Sequence, residues 1–165
     1  MSLMDNVKES IYIHGMNSEH EITKPNVMLA NVWFGGKSKL GIIGLDEQRS
    51  ILDVFFSYGP NIRPSRIKEV QIFTEEFNAL YNPNLGCLNT LWDGEVDYSY
   101  CFRIDILADA RASIGPLVRE IGRAAERAFQ YVGRIECKQS SAKDELFKLS
   151  QFSHQDLITS IKDNK

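Results

Sequence analysis

The longest regular pattern in the chain is a stripe of apolar positions at Ile114, Val118, Ile121, Ala125, Ala128, Val132 and Ile135. Steps of four and three residues keep one face of an α-helix apolar, so the spacing predicts a long helix over Ser113–Glu136. Pro116 suits its first turn, where a missing N–H is no loss, and Ser113 or Gly115 is placed to cap it. Gly122, Ala124, Ala125, Ala128 and Gly133 keep parts of that helix thin. Glycine inside a helix costs about 1 kcal/mol relative to alanine, so a closely approaching neighbour is expected, and a β-sheet is the flattest one available.

A period of two follows just upstream. Tyr98, Tyr100, Phe102, Ile104, Ile106 and Ala108 alternate with Ser99, Cys101, Arg103, Asp105 and Leu107. That alternation predicts an antiparallel strand with one dry and one polar face, the dry face lying under the long helix. Val27–Phe34 is apolar at both parities, which predicts a central strand covered on both sides. A turn over Gly35–Ser38 joins it to a strand over Leu40–Leu45. The β-branched and aromatic run Ser10–His14 predicts a further short strand.

Three stretches read as helices or loops. Asp46 can cap a helix running to Tyr58, with Ile51, Leu52, Val54, Phe55 and Tyr58 inward and Gly59-Pro60 ending it. Ser65–Tyr81 places Ile67, Val70, Phe73, Phe77 and Leu80 on one helical face. Ile72 blurs that face and leaves a strand over Glu69–Thr74 as the competing assignment. Asn82–Glu95 is expected to be irregular. Beyond Cys137, two capping boxes, Ser141 with Asp144 and Ser153 with Asp156, announce short helices. Leu146, Phe147 and Leu149 would face inward from the first, and Leu157, Ile158 and Ile161 from the second. The expected fold is therefore α+β: a mainly antiparallel sheet packed against a long helix at 113–136, with a short helical C-terminal arm. Residues 1–138 form one domain, and the arm, 139–165, packs on that domain or on a partner.

Composition narrows the class without naming a function. With 165 residues, 43% apolar and 25% charged, the chain has the make-up of one globular domain. A net charge of −3 supplies no overall basic field, which disfavours nucleic acid. The balance is uneven: residues 111–138 hold six Arg/Lys against three Glu, a local +3 that leaves −6 elsewhere. Three widely spaced cysteines, Cys87, Cys101 and Cys137, fit a reducing compartment better than a disulfide framework. No apolar run reaches a membrane span, and the opening residues carry no signal core, so a cytoplasmic protein is expected. The Met-Ser-Leu before a second Met has the look of a cloning remnant.

Catalytic and ligand templates fail one by one. Gly36-Lys37-Ser38 lacks the upstream glycine and the following helix that a phosphate loop requires. His20-Glu21 opens like a zinc-protease helix, yet Lys24 occupies the second histidine's place. No metal and no cofactor are assigned. His14 or Cys101, each with a nearby carboxylate such as Asp105, are the candidate catalytic groups; an adjacent Arg103 guanidinium would lower the Cys101 thiol pKa. Glu47 and Asp97 are further acids. Trp92, Asp93 and Glu95 form an acidic loop with an aromatic anchor suited to a basic partner surface, against the plainer alternative of a hairpin turn. Arg119, Arg123 and Arg127 make a basic ridge, and Arg63 with Arg66 a smaller one, each with phosphate or acidic peptide as its ligand class.

Two functions stay open. The first is a small cytosolic binding protein acting by stoichiometric contact with another protein, itself in a homodimer, or a small-molecule ligand, of general immunity-, chaperone- or inhibitor-like character. Trp92, Asp93, Glu95 and Arg103 are its binding residues. The second is a small enzyme with a pocket between sheet and helices that uses His14 or Cys101 with a carboxylate.

Overall fold

The computed structural model describes residues 2–16, 26–34, 37–57, 59–81, 86–91, 93–104 and 109–151. It is a mixed α+β fold in which a five-stranded antiparallel sheet packs against a long helix and a short C-terminal helix. The strands are β1 (Val27–Phe34), β2 (Lys37–Asp46), β3 (Ile51–Phe56), β4 (Cys87–Thr90) and β5 (Val96–Arg103), arranged β1-β2-β3-β5-β4. The helices are α1 (Leu3–Ile13), α2 (Ile67–Tyr81), α3 (Ala110–Glu136) and α4 (Ala142–Ser150).

The predicted stripe on α3 is the spine of the core. All seven of its positions, from Ile114 to Ile135, are buried. They share one buried cluster with Met28, Ala30 and Val32 of β1, Ile43 and Leu45 of β2, Leu52, Val54 and Phe56 of β3, and Tyr98 of β5. Cross-strand register aligns these side chains on one face, as in the row Met28–Ile43–Val54–Tyr100. Gly41 lies opposite Phe56, and a Cβ there would sit 2.7 Å from that ring. The missing side chain is what lets Phe56 fill this layer.

α3 starts earlier than the pattern implied. Asp109 is its N-cap, accepting from the Ala112 N–H, so Pro116 lies within the helix body. A proline there cannot bond back to the residue four before it. Beside this weak point α1 docks, with the Gly115 N–H donating to Ser10 Oγ at 2.9 Å. A Cβ on Gly115 would come within 2.3 Å of the His14 ring. The close neighbour at this glycine is α1, whereas nothing lies within 4 Å of a Cβ at Gly133, where a closely approaching neighbour was expected.

Three further assignments are corrected. Ser10–Ile13 is helical and His14 is the C-cap, because Met4, Val7 and Ile11 give α1 a buried stripe and Ser2 with Asp5 closes a capping box at its start. Ser2 is consequently part of the fold. The stretch after Asp46 is a turn followed by β3, not a helix. Asp46 uses its capping chemistry on the Arg49 N–H within that turn. Leu52, Val54 and Phe56 point inward while Ile51 and Phe55 point outward, and a short strand apolar on both faces mimics helical spacing. Residues 87–90 of the supposed irregular stretch form β4. Glu69–Thr74 is helical, within α2.

The sheet edges are closed differently. α2 runs along β4, and the Asn78 side chain donates to the Leu88 carbonyl (2.7 Å) while accepting from the Leu88 N–H (2.8 Å). An amide side chain thereby takes the place of a neighbouring strand. On the other side β1 is an edge strand, not the central one expected, and its Asn31 N–H bonds the Met16 carbonyl at 2.7 Å.

α4 confirms its capping box, with Ser141 Oγ accepting from the Asp144 N–H. It buries Ala142, Glu145 and Leu149, whereas Phe147, expected inward, is exposed. The second box, Ser153 with Asp156, and the side chains of Leu157, Ile158 and Ile161 lie outside the described residues.

Candidate functional site: the open face of the sheet

The same register that aligns the core aligns the opposite face. Leu29, Ile42 and Phe55 form one row across β1, β2 and β3. Leu40, opposite Asn31, and Val27, opposite Gly44, flank that row. Directly opposed side chains in an antiparallel sheet lie about 4.5–5.5 Å apart at Cβ, so Leu29, Ile42 and Phe55 make a continuous apolar row, with Val27 and Leu40 two residues along their own strands. Leu40 and Ile42 remain 38% and 37% exposed, and Val27, Leu29 and Phe55 are half-buried. An antiparallel sheet covered on one side ordinarily turns polar residues to the other. β1 to β3 do not.

The β5–β4 half of this face is polar. Asp53 stands opposite Cys101, Ile51 opposite Arg103, Ser99 opposite Cys87, and Asp97 opposite Asn89. Asp97 is buried and accepts from Asn89 Nδ2 at 2.7 Å. Cys101 is exposed, yet its thiol is pushed up to about 11, first by desolvation and then by the hydrogen bond and negative charge of Asp53. That is opposite to the direction expected from Arg103, because the thiol is partly desolvated and the residue across the pair is a carboxylate. Burial and the Asp97 charge likewise push the Cys87 thiol up.

His14 lies elsewhere. It is half-buried at the end of α1, with Nδ1 2.8 Å from the Ser10 carbonyl. A carbonyl has no proton to give, so Nδ1 carries the hydrogen and acts as donor. The His14 carbonyl in turn accepts from Arg119 at 2.8 Å. His14 thus packs with α3 on one side of the sheet, and Cys101 faces away on the other; the fold does not bring the two together.

The acidic loop is the tight turn between β4 and β5. The Leu91 N–H bonds the Glu95 carbonyl, and Asp93 Oδ1 accepts from the Glu95 N–H at 3.1 Å. Gly94, at φ +90°, bonds the Ile62 N–H through its carbonyl, and a Cβ there would strike the Ile62 backbone. Asp93 and Glu95 are exposed on this turn. Arg103 ends β5, about 23 Å from Val96 at roughly 3.3 Å per residue, so Arg103 and the turn do not share one small site. Trp92 and Asp105 lie outside the described residues, as does His20.

The arginine clusters have structural partners. Arg63 pairs with Glu136 and donates to its carbonyl at 2.6 Å, while Arg66 donates to the Ile135 carbonyl at 2.7 Å. Together they satisfy the C-terminal carbonyls of α3, where a cation is electrostatically favoured. Arg119 holds the end of α1, and Arg123 pairs with Glu120. The predicted ridge is thereby divided among separate contacts.

No group of three or more His, Cys, Asp or Glu among the described residues is arranged to hold a metal ion. No described helix is long and apolar enough to cross a membrane. Comparison with protein-family models, curated proteins and solved structures finds no match to this chain. The site residues missed from sequence are Leu29, Leu40, Ile42, Asp53 and Phe55. Their signal was present in the double-sided apolar pattern of β1, which demands a second cover.

Proposed function

We propose that this chain is a binding protein acting by stoichiometric contact, and that the contact surface is the open face of β1–β3. The observation that carries the proposal is the row Leu29–Ile42–Phe55 with Leu40 beside it, apolar and accessible on the side of the sheet away from α3. Such a surface loses hydration when covered, which supplies a driving force of about 25 cal/mol per Å². The polar half adds side chains that orient a partner. The raised Cys101 thiol, which leaves little thiolate near neutrality, weighs against Cys101 as the nucleophile of the alternative enzyme, and His14 Nδ1 is engaged with the Ser10 carbonyl.

The test is native mass spectrometry of the protein purified gently from its own host, beside a Leu40→Lys/Ile42→Lys variant. A companion at fixed stoichiometry, lost in the variant while the thermal melt is unchanged, is the expected result. A companion retained by a folded variant sinks the proposal for this face, as does a metabolite bound by both forms without any protein.

A further inference from the structure

The charges around the apolar row single out one kind of occupant. The open face carries three carboxylates: Asp46 pairs with Arg49 at 3.7 Å and Asp97 is buried against Asn89, which leaves Asp53 as the exposed one without a described cation partner, with Arg103 at the end of β5. Between Val27 and Asp53 the register places Gly44, so the face has a step there with no side chain. A Cβ at Gly44 would make only ordinary contact with Asp53 Cβ, at 3.9 Å, so the space above the backbone is accessible. Asp53 is exposed, and its described partner across the strand pair is the Cys101 thiol, not a cation.

Resting on the binding-face reading above, we propose that the occupant is a segment of a different protein that joins apolar side chains to a lysine or arginine. The apolar groups cover Leu29, Ile42, Phe55 and Leu40. The long basic side chain lies over Gly44, its stem against Val27 and its charge on Asp53. A basic stem is itself apolar, so the step suits both parts of such a residue. A second copy of this chain is the poorer occupant. Two such faces packed together bring two surfaces of net −1 into contact, with Arg49 and Arg103 set against the three carboxylates, and like charges at an interface oppose association.

Two labelled synthetic peptides separate the possibilities, one joining alternating Leu and Phe to Lys, the other identical except for Glu in place of Lys. Binding to the full chain is read by fluorescence anisotropy, with sedimentation velocity of the protein alone alongside. The Lys peptide is expected to bind about tenfold more tightly than the Glu peptide, with the difference shrinking in high salt. Asp53→Asn is expected to remove most of that preference, and Ile42→Lys to weaken both peptides. Equal binding of the two peptides, weakened by Ile42→Lys, overturns the basic-partner inference and leaves the binding face standing. A wild-type dimer that Ile42→Lys dissociates makes a second copy the occupant and also overturns it. Failure of both peptides on a monomeric protein overturns the inference and the reading beneath it.

Discussion

Replacing Glu145 with Gln removes a carboxylate enclosed between α3 and α4, its side chain 0% exposed. Its oxygens accept from Arg134 at 2.6 Å and from Lys148 at 2.8 Å, and the Arg134 guanidinium also lies over the Tyr131 ring. Desolvation pushes this carboxyl up, but hydrogen bonds from Arg134, Lys148 and Ser140 outweigh it and bring it to about 2, from an ordinary 4.5. A difference of that size corresponds to about 3 kcal/mol at 1.36 kcal/mol per unit. Both cations reach solvent, so screening reduces the contribution to about 1–2 kcal/mol. The folded pKa is the lower one. The contribution is therefore present above the unfolded value near 4.5 and is lost as pH falls towards 2. Urea unfolding of wild type and Glu145→Gln across this range isolates the effect. Asp5, held low by the Ser2 backbone N–H and hydroxyl, titrates in both proteins and cancels, and Asp144, held low chiefly by Ser141, nearly does, since the Glu145 charge is the smallest of the causes acting on it. Wild type is expected to be the more stable by about 1–2 kcal/mol near neutrality, with the gap closing in acid. A gap that stays constant with pH, or a variant as stable as wild type at neutrality, refutes the reasoning.

Three other perturbations follow from the packing. Asn78→Ala leaves the Leu88 N–H and carbonyl without their side-chain partners; a loss of about 1–3 kcal/mol is expected, with faster amide exchange at Leu88. Gly41→Ala drives a methyl into the buried Phe56 ring and should cost about 1–3 kcal/mol, whereas Gly133→Ala, with open space around it, should stabilise α3 by about 0.5–1 kcal/mol; thermal melts of the pair check both signs. Asp53→Asn leaves the desolvation of the Cys101 thiol but removes the neighbouring charge that adds to it, so alkylation of Cys101 at mildly alkaline pH should accelerate relative to Cys137, as read by peptide mass spectrometry; an unchanged ratio contradicts the part assigned to Asp53.

Periodicity made the long helix, the two-residue alternation of β5 and the Ser141 capping box legible, since each is written in local spacing. It failed where one spacing serves two structures. Ile51, Leu52, Val54 and Phe55 fit a helical face and a strand apolar on both sides equally well, and only pairing with Ile42–Asp46 decides between them. Ser10–His14 was misassigned because β-branched residues favour strands, while its burial on α3 is a tertiary effect. The candidate site was half legible. β1 advertised a second cover, but which residues of β2 and β3 complete that surface depends on register, which spacing within one strand does not contain. The arginines of 63, 66 and 119 looked like ligands because their carbonyl partners at helix ends come from distant segments.

The measurement that bears most directly on the account is hydroxyl-radical footprinting of the isolated protein, resolved to single residues of β2 and β3. Leu40, Ile42 and Phe55 are predicted to be labelled, while Ile43, Leu52 and Val54 on the α3 side are protected. Protection of Leu40 and Ile42 equal to that of Leu52 in a monomer would show the face already covered by its own chain, and would contradict the claim that it is open for binding.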